Sequence, residues 1–147
     1  MNDVTRMAEV GVLRDLSSEE CLSALRAERI GRLAVSQGAL PLILPVNYAM
    51  DGTTIVFRTR QGGLLDRACR NTIVAFEIDG HDAGAGTGWS VLAVGVANAL
   101  YAGDWLRAVK LGLTSVGAGD GAVFIKITPG TVTGRSVDGP SQLAGTH

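Results

Sequence analysis

TGWSVLAVGVANALY, residues 87–101, is a long β-forming run that is apolar on both faces. Successive side chains of a strand point to opposite sides. Trp89, Val91, Ala93, Gly95, Ala97, Ala99 and Tyr101 therefore share one face, and Ser90, Leu92, Val94, Val96, Asn98 and Leu100 the other. A strand with one solvated face alternates apolar and polar residues, and this one hardly does. Each side needs cover: a barrel interior on one, and a helix or a second subunit on the other. At about 3.3 Å per residue the run outreaches a small domain unless it bends. Gly95 is the position where a bend costs least. The run predicts a curved barrel strand lying at an interface.

The bulk composition fits that reading. A chain of 147 residues suffices for one domain with a hydrophobic core. Thirteen basic against fourteen acidic residues leave a net charge of -1, so no cationic field gathers nucleic acid or an anionic membrane. Hydrophobic residues make up 46% and charged residues 18%, a balance that points to surface buried by self-association. No apolar run approaches the roughly 20 residues of a membrane span. The opening residues MNDVTRM lack a signal-peptide apolar segment, and a cytoplasmic location is expected. Cys21 and Cys69 fall in separate predicted helices, without metal-ligand spacing, and read as reduced, half-buried thiols.

Working outward from the long strand, residues 1–15 read as an N-terminal arm that is mobile or docks elsewhere. Ser17, with Glu20 three residues on, predicts a capped helix carrying Cys21, Leu22, Ala24 and Leu25 and ending before Gly31. Strands are expected over 32–36 and 40–50, then a tight Asp51-Gly52 hairpin into 53–59. Pro41 and Pro45 place the second of these at an edge or a bulge. A short helix over 64–70, a strand over 72–79 and a flexible loop over 81–88 lead into the long strand. A helix over 103–113 has Trp105, Leu106 and Val109 on its apolar side. A link over 114–121, a strand over 122–128, a Pro129-Gly130 turn and a last strand over 131–137 follow, and residues 138–147 read as a disordered tail. The domain thus spans 16–137 and is mainly β: a small barrel with short helices.

General catalytic constellations are missing from this pattern. His81 is a lone loop histidine, and Ser90 has no histidine nearby to activate it. Glu77 and Asp79 share a strand face, where a salt-bridged or solvated strand end is the better reading than an acid pair. The glycines of 84–88 run into a strand, not a helix N-terminus, which rules out a dinucleotide fingerprint. Residues 45–65 are more informative. Pro45-Val-Asn-Tyr48 brings an amide and a phenol beside a bulge, and Phe57-Arg-Thr59 adds a guanidinium and a hydroxyl. Gly62 and Gly63 then begin a helix whose free amides could hold a phosphate, next to an Arg suited to a phosphate monoester.

In order, Gly31-Arg-Leu-Ala34, Pro45-Val-Asn-Tyr48, Ile55-Val-Phe-Arg-Thr59 with Gly62, Phe76-Glu-Ile-Asp79, Gly88-Trp-Ser-Val91 with Gly95, and Thr133-Gly-Arg135 span nearly the whole chain. Together these pieces resemble the pyridoxamine 5′-phosphate oxidase-like family of flavin-binding split barrels, in its compact actinobacterial branch. The resemblance implies a six-stranded split β-barrel that pairs into a homodimer with two flavin sites at the interface. It implies that Val46, Asn47 and Tyr48 border the isoalloxazine ring and that Arg58 and Thr59 approach the ring edge or the ribityl phosphate. Gly62 and Gly63 would lie at that phosphate, and Trp89 and Ser90 would reach the site from the neighbouring strand or the other subunit. The implied cofactor is FMN, with the deazaflavin F420 as the alternative, serving an oxidoreductase that acts on a small-molecule substrate. One departure stands out: Leu64 occupies the place of the family's phosphate-gripping Lys. It leaves open a non-catalytic dimer that binds another planar ligand such as haem.

Overall fold

In chain order the elements of this computed structural model are β1 (Leu13–Asp15), α1 (Ser18–Ala27), β2 (Ile30–Gln37), β3 (Leu40–Asp51) and β4 (Thr54–Arg60). They continue with α2 (Leu64–Ala68), β5 (Thr72–Asp82), β6 (Thr87–Ala99), α3 (Trp105–Lys110) and β7 (Ala122–Val137). The structure describes residues 12–113 and 121–138. Most of the arm over 1–15, the link over 114–120 and nearly all of the tail over 138–147 lie outside the described residues.

The strands pair in the order β7–β4–β3–β2–β5–β6, and β6 pairs again with β7, so the six longer strands close into a split barrel. β1 adds to β7 beyond the closure, with Leu13 opposite Val137. Every pairing is antiparallel. The long doubly apolar run is β6, and its two faces have different fates. Val91, Ala93 and Ala97 point into the barrel and are fully buried, whereas Leu92 and Val96 point outward.

The interior is filled by Leu33, Ile55, Phe57, Phe76, Ile78, Ile125 and Ile127, all without appreciable exposure. Phe76 sits at the centre, edge-on to Tyr48 with ring centroids 4.8 Å apart. Its ring fills the space where a side chain on Gly31 would stand. The glycine of the Gly31-Arg-Leu-Ala34 segment is thus a packing requirement of the core.

β6 bends where its sequence predicts. Val94 pairs with Thr131 and Gly95 with Pro129, which leaves Gly130 as an extra residue on β7. A methyl on Gly95 would run into the carbonyl oxygen of Thr128. Pro129-Gly130 accordingly is no turn between two strands; it is a bulge within one strand of 16 residues. Proline has no N–H to give the ladder, and a bulge is where a strand tolerates that loss. The prolines of β3 also sit at an edge. β3 pairs with β2 from Leu40 to Asn47 and with β4 only from Tyr48 to Asp51, so Pro41 and Pro45 lie where the second neighbour is absent.

Other expectations change with tertiary packing. The loop over 81–88 is a tight hairpin: His81 and Asp82 pair with Gly88 and Thr87, and Asp82 Oδ1 accepts the Gly84 and Ala85 amides. An Asp side chain that bonds its own turn removes the flexibility its glycines suggest. Helix α3 is shorter than the 103–113 pattern and presents a different side. Ala108 is buried and Trp105 packs edge-on to Phe124, while Leu106 and Val109 are 75% and 60% exposed. Six residues lie across β4 and β7 through only one turn's worth of side chains, so the rest of the apolar pattern faces outward. α2 likewise ends at Ala68, and Cys69 and Cys21 are fully buried free thiols.

Gly95→Ala is expected to destabilise the fold by about 1–3 kcal/mol, because backbone of the bulge, not a movable side chain, blocks the added methyl. Urea unfolding of the variant beside Gly103→Ala, where a methyl meets nothing, measures the difference.

Candidate functional site

The α1–β2 corner is built by local rules. Ser17 Oγ accepts the Glu20 amide at 3.1 Å while Glu20 Oε1 accepts the Ser17 amide at 2.9 Å. This reciprocal cap starts α1 as its sequence predicts. Cys21 and Leu25 then face the barrel, and Gly134 lets the helix approach, since a methyl there would lie 2.7 Å from Cys21 Sγ. The helix stops at Glu28, which is extended, and the chain turns into β2.

Two bonds tie β3 to this corner. The Tyr48 amide donates to the Arg29 carbonyl at 2.9 Å. The Tyr48 hydroxyl donates to the Leu25 carbonyl at 2.6 Å, satisfying one of the carbonyls that a helix C-terminus leaves open. Burial, with the Glu28 carboxylate adding to it, pushes the Tyr48 phenol up to about 12. Tyr48 is therefore neutral and committed inward. It holds the corner together and is not placed to donate a proton to a ligand.

Beside this joint opens a cleft of about 590 Å³, within the usual size of small-molecule sites. Arg26, Glu28 and Arg29 form one wall, Asn47 to Met50 with Gly52 the floor, and Leu111, Gly112 and Leu113 the opposite wall. Asn47 is exposed, on the strand that parts from β4 just before Tyr48. The cleft combines an amide, two guanidiniums, a carboxylate and an apolar wall. It offers a planar polar ligand a ring edge to bond, a face to cover and an anion to neutralise.

Of the residues singled out by sequence, Asn47 and Tyr48 line this cleft. Val46 is turned toward the barrel core. Arg58 lies over the Phe124 ring, 5.8 Å from its centroid, on the side of the barrel that α3 covers. Thr59 is half-buried opposite Val123. The amides at Gly62 and Gly63 are occupied: Gly62 donates to Asp66 Oδ2 at 2.7 Å and Gly63 to the Arg60 carbonyl at 3.1 Å. The Asp66 carboxylate is buried and receives Arg70 Nε at 2.9 Å. Trp89 and Ser90 line a separate hollow of about 370 Å³ with Asp79, His81 and Arg135. Within one chain the structure therefore brings together Asn47 and Tyr48 in this cleft, whereas Arg58, the Gly62–Gly63 turn and the Trp89–Ser90 pair do not line it.

Arg26, Glu28, Arg29 and Leu111 to Leu113 are cleft residues that sequence reasoning missed. An Arg-Ala-Glu-Arg run at a helix end reads as an ordinary solvated terminus, and only the fold sets it against Asn47. Glu77 and Asp79 form the salt-bridged strand end that their spacing suggests. Arg32 donates to Asp79 Oδ1 at 2.9 Å and to Glu77 Oε1 at 3.4 Å. Hydrogen bonds from Glu77 and Arg32 hold the Asp79 carboxyl below its ordinary value, while burial holds Glu77 above its own.

Comparison with known proteins agrees with this architecture. The sequence profile described as pyridoxamine 5′-phosphate oxidase matches residues 17–136. A FAD binding protein from Mycobacterium smegmatis superposes with a TM-score of 0.73 at 31% identity, covering 84% of this chain and 98% of that one. A FAD-binding protein from Mesorhizobium loti gives 0.74 at 25% identity, covering 86% and 99%. An uncharacterized protein of Mycobacterium tuberculosis, Rv0080, is 33% identical over 88 residues, 56% of this chain and 58% of that protein. The chain thus spans less than two thirds of that curated relative.

Tyr48→Phe is expected to cost about 1–3 kcal/mol at neutral pH, because it leaves the Leu25 carbonyl buried without its donor. The wild-type phenol keeps its proton in the fold up to about pH 12 and gives it up near 10 when unfolded. Its contribution is complete below pH 10 and is lost as pH rises toward 12. Burial pushes the Cys69 thiol up to about 11, which acts in the same direction. Urea midpoints followed from neutral pH to 12 should fall less steeply above pH 10 in the Phe variant.

Proposed function

The chain belongs to the pyridoxamine 5′-phosphate oxidase family, and on that premise we propose that it binds a flavin nucleotide in the Asn47 cleft and serves as a flavin-dependent oxidoreductase. The observation that carries this reading is the cleft itself: about 590 Å³, an exposed Asn amide on its floor and an apolar wall at Leu111 and Leu113. The residues present fit the group. Asn47 offers a donor and an acceptor to the polar edge of an isoalloxazine, Met50 and the two leucines offer its face apolar cover, and the guanidiniums offer charge to a phosphate. A bound flavin supplies the redox chemistry, while the protein supplies position and electrostatics. Two relatives of this fold, at 31% and 25% identity, are FAD-binding proteins, which supports a flavin as the cofactor, FMN and F420 being the other forms to test.

The same reading includes a homodimer. Ile43, Ala34, Ala75 and Val94 lie side by side across β3, β2, β5 and β6 on the outer face of the barrel, and Ile73 lies beside Val96. Ile43 and Ile73 are 71% and 69% exposed in the single chain. An apolar surface running over four strands is of the kind that marks a protein interface. A second copy laid on it covers the outer side of β6.

Purified protein titrated with FMN, FAD and F420 should shift the cofactor's visible absorbance and quench its fluorescence. No change with any of the three at tens of micromolar would remove the flavin reading, and uptake of haem alone would favour a non-catalytic ligand carrier. Light scattering at micromolar concentration should report a dimer. Ile73→Asp should shift it to monomer with the barrel's circular dichroism retained, and a wild-type monomer would exclude the pairing.

A further inference from the structure

We propose that Arg26 and Arg29, at the α1–β2 corner, form the site that grips the ligand's phosphate, and that the Gly62–Gly63 turn does not. This inference rests on the flavin reading for the ligand's identity, but its own support is local. At the Gly62–Gly63 turn the anion's place is already taken by the protein. The Asp66 carboxylate is 3% exposed, accepts the Gly62 amide at 2.7 Å and is neutralised by Arg70. Gly63 donates to the Arg60 carbonyl. A phosphate brought to this turn would face a buried carboxylate and amides already in use. Leu64, packed against the core, offers it no charge.

The cleft presents the opposite situation. Among the described residues neither Arg26 nor Arg29 has an ion pair or a side-chain hydrogen bond. Both are exposed at the cleft wall, with Glu28 the one acid there. Two guanidiniums against one carboxylate leave the wall with a formal charge of +1. The partial negative charge of the α1 C-terminus works against an anion, and two of the carbonyls concerned are already taken. Ala24 accepts the Glu28 amide and Leu25 accepts the Tyr48 hydroxyl. Guanidiniums present paired donors that match phosphate oxygens. The charge that the Gly62–Gly63 turn does not offer is thus supplied by a different element of the fold, on the same cleft that holds Asn47.

Riboflavin, FMN and FAD share the ring and differ beyond it, FMN by one phosphate and FAD by a diphosphate carrying adenosine. The riboflavin–FMN comparison therefore separates the two ends of the site. Fluorescence titration of the wild-type chain should show FMN or FAD binding roughly tenfold or more tighter than riboflavin. In the double variant Arg26→Ala, Arg29→Ala that gain should vanish while riboflavin binding stays where it was. Both side chains are exposed, and circular dichroism checks that the variant is folded. Survival of the gain in this variant would overturn the proposal, as would its loss in the double variant Arg60→Ala, Arg67→Ala. Equal wild-type affinity for all three flavins would also remove the phosphate site while leaving a flavin site standing. If none of these three nor F420 binds, the flavin reading has failed and the corner is judged on ADP. ADP binding that the Arg26, Arg29 variant abolishes sustains an anion site, and no ADP binding ends it.

Discussion

One strand carries the closure on which everything else rests. β7 bonds to β4 through its first half, to β6 from Ile125 to Val137, and to β1 at its end. A straight strand of 16 residues cannot lie along neighbours that diverge around a barrel. The extra residue at Gly130, set against Gly95, bends β7 without breaking its ladder. With that bend in place the sheet meets itself, and the interior becomes a closed volume for Phe57, Phe76 and the aliphatic residues to fill. Closure also removes most of the open edges through which sheets aggregate.

The site lies where closure is incomplete. β3 has β2 as its neighbour up to Asn47 and meets β4 only from Tyr48 onward. The sheet forks just before that residue, and Asn47 stands at the fork. α1 is held against the opening by the bonds from Tyr48 to Arg29 and Leu25. The joint that stabilises the barrel end therefore also shapes the cleft. Arg26 and Arg29 face the cleft because the helix ends there, not because either position is distinctive in sequence.

Charge is distributed in two ways across the molecule. Asp66 and Arg70, and Arg32 with Glu77 and Asp79, neutralise one another within the fold. Arg26 and Arg29 lack such partners among the described residues and remain available to a ligand. A buried carboxylate is tolerated at α2 because it accepts a backbone amide as well as a guanidinium. That same arrangement makes the turn unsuited to an external anion. The outer apolar face over β2, β3, β5 and β6 has no charged residue between Ala34, Ala75 and Val94, and the Arg32 cluster marks its border.

Much of the fold was legible in the residues themselves. The two apolar faces of residues 87–101, the Ser17–Glu20 cap, the Asp51-Gly52 turn and the edge prolines each follow from a local rule, and each appears where it reads. Local rules work there because a turn, a cap or a strand face depends on residues a few positions apart. The errors share the complementary cause. Pro129-Gly130 is a bulge and not a turn because β6 runs past it and pairs with β7 on both sides of it, and α3 buries Ala108 because β4 and β7 lie beneath it. Within the candidate site, Asn47 and Tyr48 were visible as a segment. Arg26, Arg29 and Leu111 to Leu113 were not, since about 20 to 65 residues of chain separate them from Asn47. The sequence by itself determined where the β-forming runs of the barrel lie and that the long one needs a bend. It did not determine that residues 122–137 form one strand or that Leu13–Asp15 adds to it. Only the tertiary structure decided which charges are spent inside the fold and which face the cleft, because that depends on which distant side chains closure brings within bonding distance.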